Sequence, residues 1–343
     1  MKVAIDSTPL TVSSGGITRY TSALSQALAE HFPADQYIHL TDQGNTGLSR
    51  LERRWWAYGL PKKLRSLKVD VFHGPDFTVP YLPVCPAVMT VHDLSPWMNP
   101  AWHHGAGRIR RRTPFLLKLG LATMVITDCE AVRKEVIARF KLPAERVVAV
   151  PLAADESFRP TATPANDPYF LFVGTLEPRK NIPFLIEAWK RLQTEIPIRL
   201  ILAGRRRADC PSIEPHPGLE IMGEVKDAAL PGLYSGALAV VYPSLYEGFG
   251  LPVLEAMSCG APVIASRDPA LIELAGDAVI HCDSCEEGQW VEAMRTMILD
   301  KSHRNKLRQA GLQRSKDFSW RRTATLTREV YVEAISRFRR LGG

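Results

Sequence analysis

Two carboxylates, Glu247 and Glu255, bracket the segment Glu247-Gly-Phe-Gly-Leu-Pro-Val-Leu-Glu255. An ionised carboxylate accepts two hydrogen bonds at once, which suits neighbouring sugar hydroxyls. Gly248 and Gly250 let the backbone come close to a ligand. A helix starting at Pro252 adds unpaired N–H groups and a partial positive charge that favour an anion. Such a segment can grip a ribose through Glu255 and a transferred sugar through Glu247. Each residue also has a plainer reading. Glu255 is a favourable charge on the first turn of that helix, and Glu247 is a loop surface residue. Two glutamates at this spacing say little alone. With the Gly-Phe-Gly-Leu-Pro insert and flanking strands at Leu238–Tyr242 and Pro262–Ala265, the segment is specific.

More candidates follow Tyr169–Val173. In Val173-Gly-Thr-Leu-Glu-Pro-Arg-Lys-Asn181, Gly174 opens a turn that carries Thr175 and projects Arg179 and Lys180 ahead of a helix at Pro183. A guanidinium fork and an ammonium point charge both suit a pyrophosphate, and they act most strongly on a leaving group whose charge is growing. Taken alone, the pair reads as a solvated basic loop. Ser13-Ser-Gly-Gly-Ile-Thr-Arg-Tyr20 is a glycine-rich strand-to-helix turn. Gly15-Gly16 has neither dinucleotide spacing nor the ending of a triphosphate loop, so a backbone approach to phosphate or sugar fits better. In Thr90-Val-His-Asp-Leu94, His92 is either a satisfied core histidine or a cleft residue reaching donor sugar or acceptor. Asp93 either orients it or caps the next turn.

Two series of alternating elements must hold these pieces. Short strand-like runs at Val3–Ile5, Tyr37–Leu40, Val69–His73, Ala87–Val91, Met124–Thr127 and Val147–Val150 fill the first half. Tyr169–Val173, Arg199–Ala203, Leu219–Met222, Leu238–Tyr242 and Pro262–Ala265 fill the second. Helical stretches fall among them, notably Ile17–His31, Arg108–Leu121, Ala131–Phe140 and Pro183–Leu192, with three more after Trp290. That alternation predicts α/β domains with parallel sheets. The proline-rich segment Ala153–Pro168 reads as a linker, giving domains at 1–160 and 167–322 with the ligand cleft between them.

A chain of 343 residues, 45% hydrophobic and 23% charged, fits a two-domain globular enzyme. No apolar run approaches the ~20 residues that span a bilayer. MKVAIDSTPL lacks the features of a signal peptide, so a cytoplasmic location is expected. Cys282-Asp-Ser-Cys285, after His281, has metal-pair spacing without a second ligand pair, and the expectation is reduced thiols and no metal. The net charge of +7 gathers in two clusters. One is Arg50, Arg53, Arg54, Lys62, Lys63, Arg65 and Lys68 around Trp55 and Trp56, and the other is Arg108, Arg110, Arg111, Arg112 and Lys118. They read as solvated helix faces or as attraction to an anionic membrane, with the tryptophans at headgroup level. No nucleic-acid motif accompanies them, so no nucleic-acid partner is expected.

YEGFGLPVLEAMSCGAPVIAS, VGTLEPRKN, the Gly15-Gly16 turn and VHDLSPW together resemble the retaining glycosyltransferases of family 4. The likeness is to bacterial mannosyltransferase-type enzymes of polysaccharide, O-antigen or lipid-linked glycan assembly, and it is most specific from Phe170 to Ser266. It implies an α/β GT-B fold of two facing Rossmann-like domains, acceptor-binding first and donor-binding second, with a C-terminal helix in 323–343 returning to the first. It implies a hexosyltransferase without prosthetic group or metal. The co-substrate would be a nucleotide-diphosphate sugar, GDP-mannose favoured, and the partner a glycan or lipid-linked glycan acceptor. The protein would be cytoplasmic or peripheral on the inner membrane face.

By the same resemblance Glu255 binds the donor ribose, while Glu247 and Gly248, with the backbone of Phe249, Gly250 and Leu251, bind the donor sugar. Arg179 and Lys180 hold the diphosphate, helped by Gly16, with Gly15, Gly174 and Thr175 in the same donor set. Gly223 and Val225 meet the base, and His92 sits beside the reacting sugar. Catalysis then falls to Glu247, His92, Lys180 and Arg179, with the leaving phosphate taking the acceptor's proton. Two departures stand out: Thr175 replaces an arginine common in the family, and SRDPALI at 266–272 lacks the usual Ser-rich and Pro-Glu pattern, with Glu273 as a substitute. A non-catalytic sugar-nucleotide-binding partner of a glycan-assembly complex is the competing reading, opposed by the intact glutamates and cations. An epimerase would show a Tyr and Lys pair near a dinucleotide turn, and a pyridoxal-dependent phosphorylase would be longer.

Overall fold

The computed structural model describes residues 1–12, 15–41, 54–103, 105–162, 167–340 and 342. Ser13, Ser14, Arg50, Arg53 and part of the proline-rich segment (163–166) lie outside the described residues. The chain divides into two compact units, Met1–Leu152 with Ser319–Gly343, and Ala153–Phe318.

In the first unit β1 (Lys2–Asp6), β2 (Gln36–Leu40), β3 (Val71–Gly74), β4 (Ala87–Val91), β5 (Met124–Thr127) and β6 (Val147–Ala149) form a parallel sheet ordered β2-β1-β3-β4-β5-β6. Every residue of β3, β4 and β5 is buried, so these strands read as mostly apolar runs rather than as an alternation, with His73, Thr90 and Thr127 as their buried polar residues. The helices are α1 (Pro9–Val12), α2 (Gly16–His31), α3 (Leu60–Leu67), α4 (Ser95–Met98), α5 (Gly107–Lys118) and α6 (Glu130–Phe140). Trp55 is buried, and Trp56 packs edge-on against Phe72 with the Arg112 guanidinium over its ring. Trp55 belongs to the core, which removes it as a headgroup anchor, while Trp56 is half-buried against Phe72.

In the second unit β7 (Tyr169–Val173), β8 (Arg199–Ala203), β9 (Leu219–Gly223), β10 (Ala239–Tyr242), β11 (Val263–Ser266) and β12 (Ile280–Cys282) form a parallel sheet ordered β12-β11-β10-β7-β8-β9. The expected strands omit β12, whose three residues include His281 and Cys282 and carry little β signal. The helices are α7 (Ile182–Gln193), α8 (Leu230–Gly236), α9 (Leu251–Ser258), α10 (Pro269–Ala275), α11 (Glu287–Leu299) and α12 (Lys301–Ser315). The proline-rich segment does not begin as a free linker. Phe158 is buried against Tyr234, and the Thr161 amide donates to Ser235 Oγ at 3.1 Å.

The last helix, α13 (Trp320–Arg340), belongs to the first unit and packs on α2, β3, β4 and β5. Its buried residues Thr323, Ala324, Thr327, Val330, Tyr331 and Ala334 recur at helical spacing along one face. Tyr331 shares a 2.7 Å hydrogen bond with His73 Nδ1, whose Nε2 meets Thr90 Oγ1 at 2.8 Å. Burial, with His92 nearby, pushes the His73 pKa down to about 3, so this imidazole is a neutral core bridge.

Candidate donor-binding site

The second unit brings two loops together at the C-terminal ends of β7 and β8. Gly204 has φ 147°, and a Cβ there would fall 1.9 Å from the Gly174 carbonyl oxygen. Only glycine allows this close approach, which lets the chains run on side by side: the Leu176 amide donates to Arg205 O, and the Arg207 amide to Leu176 O. The turn Pro178–Lys180 then sets Arg179 and Lys180 against the loop after β10, where the Leu245 amide donates to Arg179 O at 2.9 Å.

There the two cations close on one carboxylate. Lys180 Nζ donates to Glu247 Oε1 at 2.5 Å and to the Tyr242 hydroxyl at 2.7 Å. Arg179 Nη1 donates to Tyr246 O at 2.7 Å and to Glu247 Oε2 at 3.2 Å, and its Nη2 to Glu177 Oε1 at 2.9 Å. Arg207 holds the other Glu177 oxygen at 2.5 Å and grips Asp209 with two bonds. Lys180 and Glu247 are buried, so neither the solvated basic loop nor the loop surface residue survives as a reading. Burial works to raise the Glu247 carboxyl, but Lys180 and Arg179 outweigh it and hold it at about 2. The glutamate is therefore an anion that fixes two cations, rather than an acid poised to give a proton.

Gly250, at φ 99°, caps α9, with Leu251 and Pro252 its first two residues. Glu255 is its fifth residue, beyond the first turn expected for it. It is 3% exposed and accepts a 2.9 Å hydrogen bond from the Tyr234 hydroxyl, which replaces the first-turn charge reading. Gly248 and Phe249 are buried, and Phe249 packs edge-on against Phe318. Asp268, absent from the expected set, accepts the Glu247 amide at 3.2 Å through Oδ2 and caps α10 through Oδ1. Burial and the Glu247 charge push its pKa up to about 6. Glu273, the expected substitute, is exposed on α10. Gly223 ends β9 at φ 69° with open space where a Cβ would stand, while Thr175 and Val225 are half-buried.

Gly15, Gly16 and His92 lie in the first unit. Gly15 caps α2 at φ 119°, and neither glycine has an atom near its Cβ position. His92 Nδ1 meets Asp128 Oδ2 at 2.8 Å, and Nε2 meets Pro75 O at 2.8 Å. The Pro75 carbonyl accepts only, so Nε2 carries a proton, and with Asp128 ionised Nδ1 carries one as well. Burial opposes that charge, but Asp128 wins with help from Asp76 and the Pro75 carbonyl, and the pKa rises to about 9. Asp93 Oδ1 accepts from the amide and hydroxyl of Ser95, so it caps its turn and Asp128 does the orienting.

Around Cys282, His281 bonds the carbonyls of Ser266 and Gly276, and Cys285 is exposed. Among the described residues no three potential ligands gather for a metal.

Two Rossmann-like halves, the second carrying this acid–cation knot beside a glycine-capped helix, place the chain in the GT-B class of glycosyltransferases. Residues 153–314 match the model of Glycosyl transferases group 1, and residues 14–158 that of Glycosyltransferase Family 4. The chain is 36% identical over 304 residues to O-antigen chain mannosyltransferase B of Escherichia coli, covering 81% of this chain and 77% of that protein. It is 29% identical to the E. coli serotype-specific mannosyltransferase WbdA over 77% of this chain, and spans 36% of that longer protein. Anabaena HepE, solved with UDP and glucose, shares the fold at a TM-score of 0.73 and 17% identity, over 97% of this chain and 100% of that one. The chain belongs to the family 4 glycosyltransferases and is a hexosyltransferase of the bacterial mannosyltransferase-like kind.

Proposed function

We propose that the protein moves mannose from GDP-mannose to a hydroxyl of a growing O-antigen, polysaccharide or lipid-linked glycan, with retention of configuration, without a metal, and at the inner face of the cell membrane. The observation that carries the reading is the buried knot of Lys180, Arg179 and Glu247. Two of the three Lys180 N–H donors are used within it. Glu247 fixes both cations before any ligand arrives, so their ordering cost is met in folding and their charge is available to a departing diphosphate. In the step itself the bond from the donor's anomeric carbon to the diphosphate oxygen breaks and a bond to the acceptor oxygen forms on the same face. The acceptor's proton passes to the leaving phosphate. Glu255, oriented by Tyr234, holds the ribose, and Glu247 with the backbone from Gly248 to Leu251 holds the sugar. Gly223 and Val225 border the base, and Gly15 and Gly16 add backbone N–H groups to the donor. His92 supplies a fixed positive charge to the reaction. The mannosyltransferase relatives support the choice of sugar.

The test is calorimetry with GDP-mannose, UDP-glucose and dTDP-sugars, with and without EDTA. Binding of GDP-mannose that EDTA leaves unchanged is the expected result. A strict metal requirement, or preference for another nucleotide, overturns the donor assignment.

A further inference from the structure

A line of buried polar side chains runs through the first unit from its last helix to His92. It begins at the Tyr331 hydroxyl on α13, which meets His73 Nδ1 on β3 at 2.7 Å. His73 Nε2 meets Thr90 Oγ1 on β4 at 2.8 Å, and the same oxygen meets the Tyr20 hydroxyl from α2 at 3.0 Å. The Tyr20 ring then stands against the His92 imidazole, with centroids 4.7 Å apart and planes at 84°. Aromatic rings favour this edge-to-face contact. Strand geometry makes Thr90 the branch point. Residues two apart on a strand project to the same side, and His92 lies two positions from Thr90, just past the end of β4. One tyrosine can therefore hold both.

Tyr331, His73, Thr90 and Tyr20 are each at most 2% exposed. Burial pushes the phenols of Tyr20 and Tyr331 well above their ordinary range and His73 down to about 3, so the line is neutral. A neutral imidazole has one donor nitrogen and one acceptor nitrogen. Tyr331 and Thr90 must then take opposite roles on His73, one donating to the ring and the other accepting from it. The hydroxyl at one side of the ring thus constrains the hydroxyl at the other. Filling space does not ask for such an arrangement, because apolar side chains would do so without the cost of burying polar groups. What a paired buried network adds is fixed geometry. His92 is where that geometry counts. Its two ring nitrogens are anchored by Asp128 and the Pro75 carbonyl. Two anchors leave the ring able to tilt about the line joining them, and contact with Tyr20 restrains that tilt.

We infer that Tyr331 is a positioning residue for His92, acting through His73, Thr90 and Tyr20, so that the last helix of the chain sets the angle of the imidazole ring. The inference rests on the reading that His92 takes part in transfer, and it adds buried residues that act on the reaction through that ring alone.

Two measurements on the full chain separate the connection from its use. The first follows the ring NMR signals of His92, identified by their absence in His92→Asn, with no substrate present. Tyr331→Phe and Tyr20→Phe should each move them. Thr90→Ser, which keeps the hydroxyl, should leave them near the wild-type position. Val330→Ala, a buried truncation on the same helix outside the line, should lower stability and leave both the signals and kcat in place. The second measures transfer from GDP-mannose to a synthetic mannose-terminated oligosaccharide. Tyr331→Phe should lower kcat about tenfold, inside the roughly 100-fold that a misplacement of about 1 Å can cost, with calorimetric affinity for GDP-mannose unchanged. That loss should vanish in a His92→Asn background, because a residue acting only through His92 then has nothing to act on. Unmoved His92 signals in Tyr331→Phe, or an equal loss of kcat with and without His92, overturn the inference and leave the role of His92 standing. Wild-type kcat in His92→Asn overturns that role, and the use of the line in transfer falls with it.

Discussion

At the scale of single residues, the two charges that matter most are fixed by their partners rather than by exposure. Glu247→Ala would leave Lys180 and the Arg179 fork buried without their shared carboxylate. A broken buried ion pair costs about 3–5 kcal/mol, so this variant should lose transfer and a large part of the second unit's stability together. Urea unfolding beside an activity assay checks it, and near-normal activity would remove Glu247 from the site. With its carboxyl held at about 2, Glu247 contributes stability that is present above its ordinary 4.5 and is lost as pH falls toward 2. His92 has the opposite sign. Its pKa is raised to about 9, so its contribution is complete below 6.5 and disappears as pH rises through 9. If His92 acts as a fixed cation, transfer should fall along the same limb. Asp128→Asn removes the negative partner and should bring the midpoint down toward 6.5, read both in the pH profile of kcat and in the imidazole NMR titration. A profile unchanged by Asp128→Asn would show that the His92 charge plays no part in the reaction.

At the scale of elements, the site depends on backbone proximity that only glycine permits. Gly204→Ala would drive a Cβ to within 1.9 Å of the Gly174 carbonyl, at φ 147°. Backbone strain of this kind costs of order 1–3 kcal/mol, and the clash adds to it. The expected outcome is a second unit that unfolds at lower denaturant and binds donor weakly, because the loops holding Glu177, Arg179 and Arg207 are forced apart. Chemical denaturation with calorimetry measures both, and wild-type donor affinity in a stable Gly204→Ala protein would contradict it. Local sequence made the strands and the Glu247–Glu255 segment legible: β4, β5, β7 and β8 run where the β-branched and apolar stretches run. It also placed Pro252 in the first turn of α9, since proline tolerates that position. What it missed was pairing across loops. Glu177 lies inside the quoted VGTLEPRKN motif, yet its role depends on Arg207 from the next strand's loop. Asp128 and Tyr234 likewise act on His92 and Glu255 from other elements. Nothing in the spacing of one segment reports a partner that arrives from another.

At the scale of the whole molecule, sequence order and structural membership part company at α13. This helix follows the entire second unit but completes the first, covering β3, β4 and β5 and lying along α2. Its attachment combines an apolar stripe with specific polar contacts, among them Arg328 Nε to Asp35 Oδ2 at 2.7 Å and Tyr331 to His73. Tyr331→Ala would empty the space of a fully buried aromatic and leave His73 Nδ1 without its partner. Truncation of a large buried aromatic costs about 3–5 kcal/mol. The loss should be confined to one unit, because Tyr331 and its partner His73 both lie within Met1–Leu152 and Ser319–Gly343, as do the elements α13 packs on. Hydrogen exchange on the variant should therefore show early opening of β3, β4, β5 and α2 while β7, β8 and β10 keep their protection. Tyr331→Phe, which keeps the ring and removes only the hydroxyl, should cost about 1–3 kcal/mol, the penalty of one unsatisfied buried group. Equal loss of protection in both units would show that they unfold as one cooperative body, and α13 would then be a clasp for the whole chain rather than the last element of its first half.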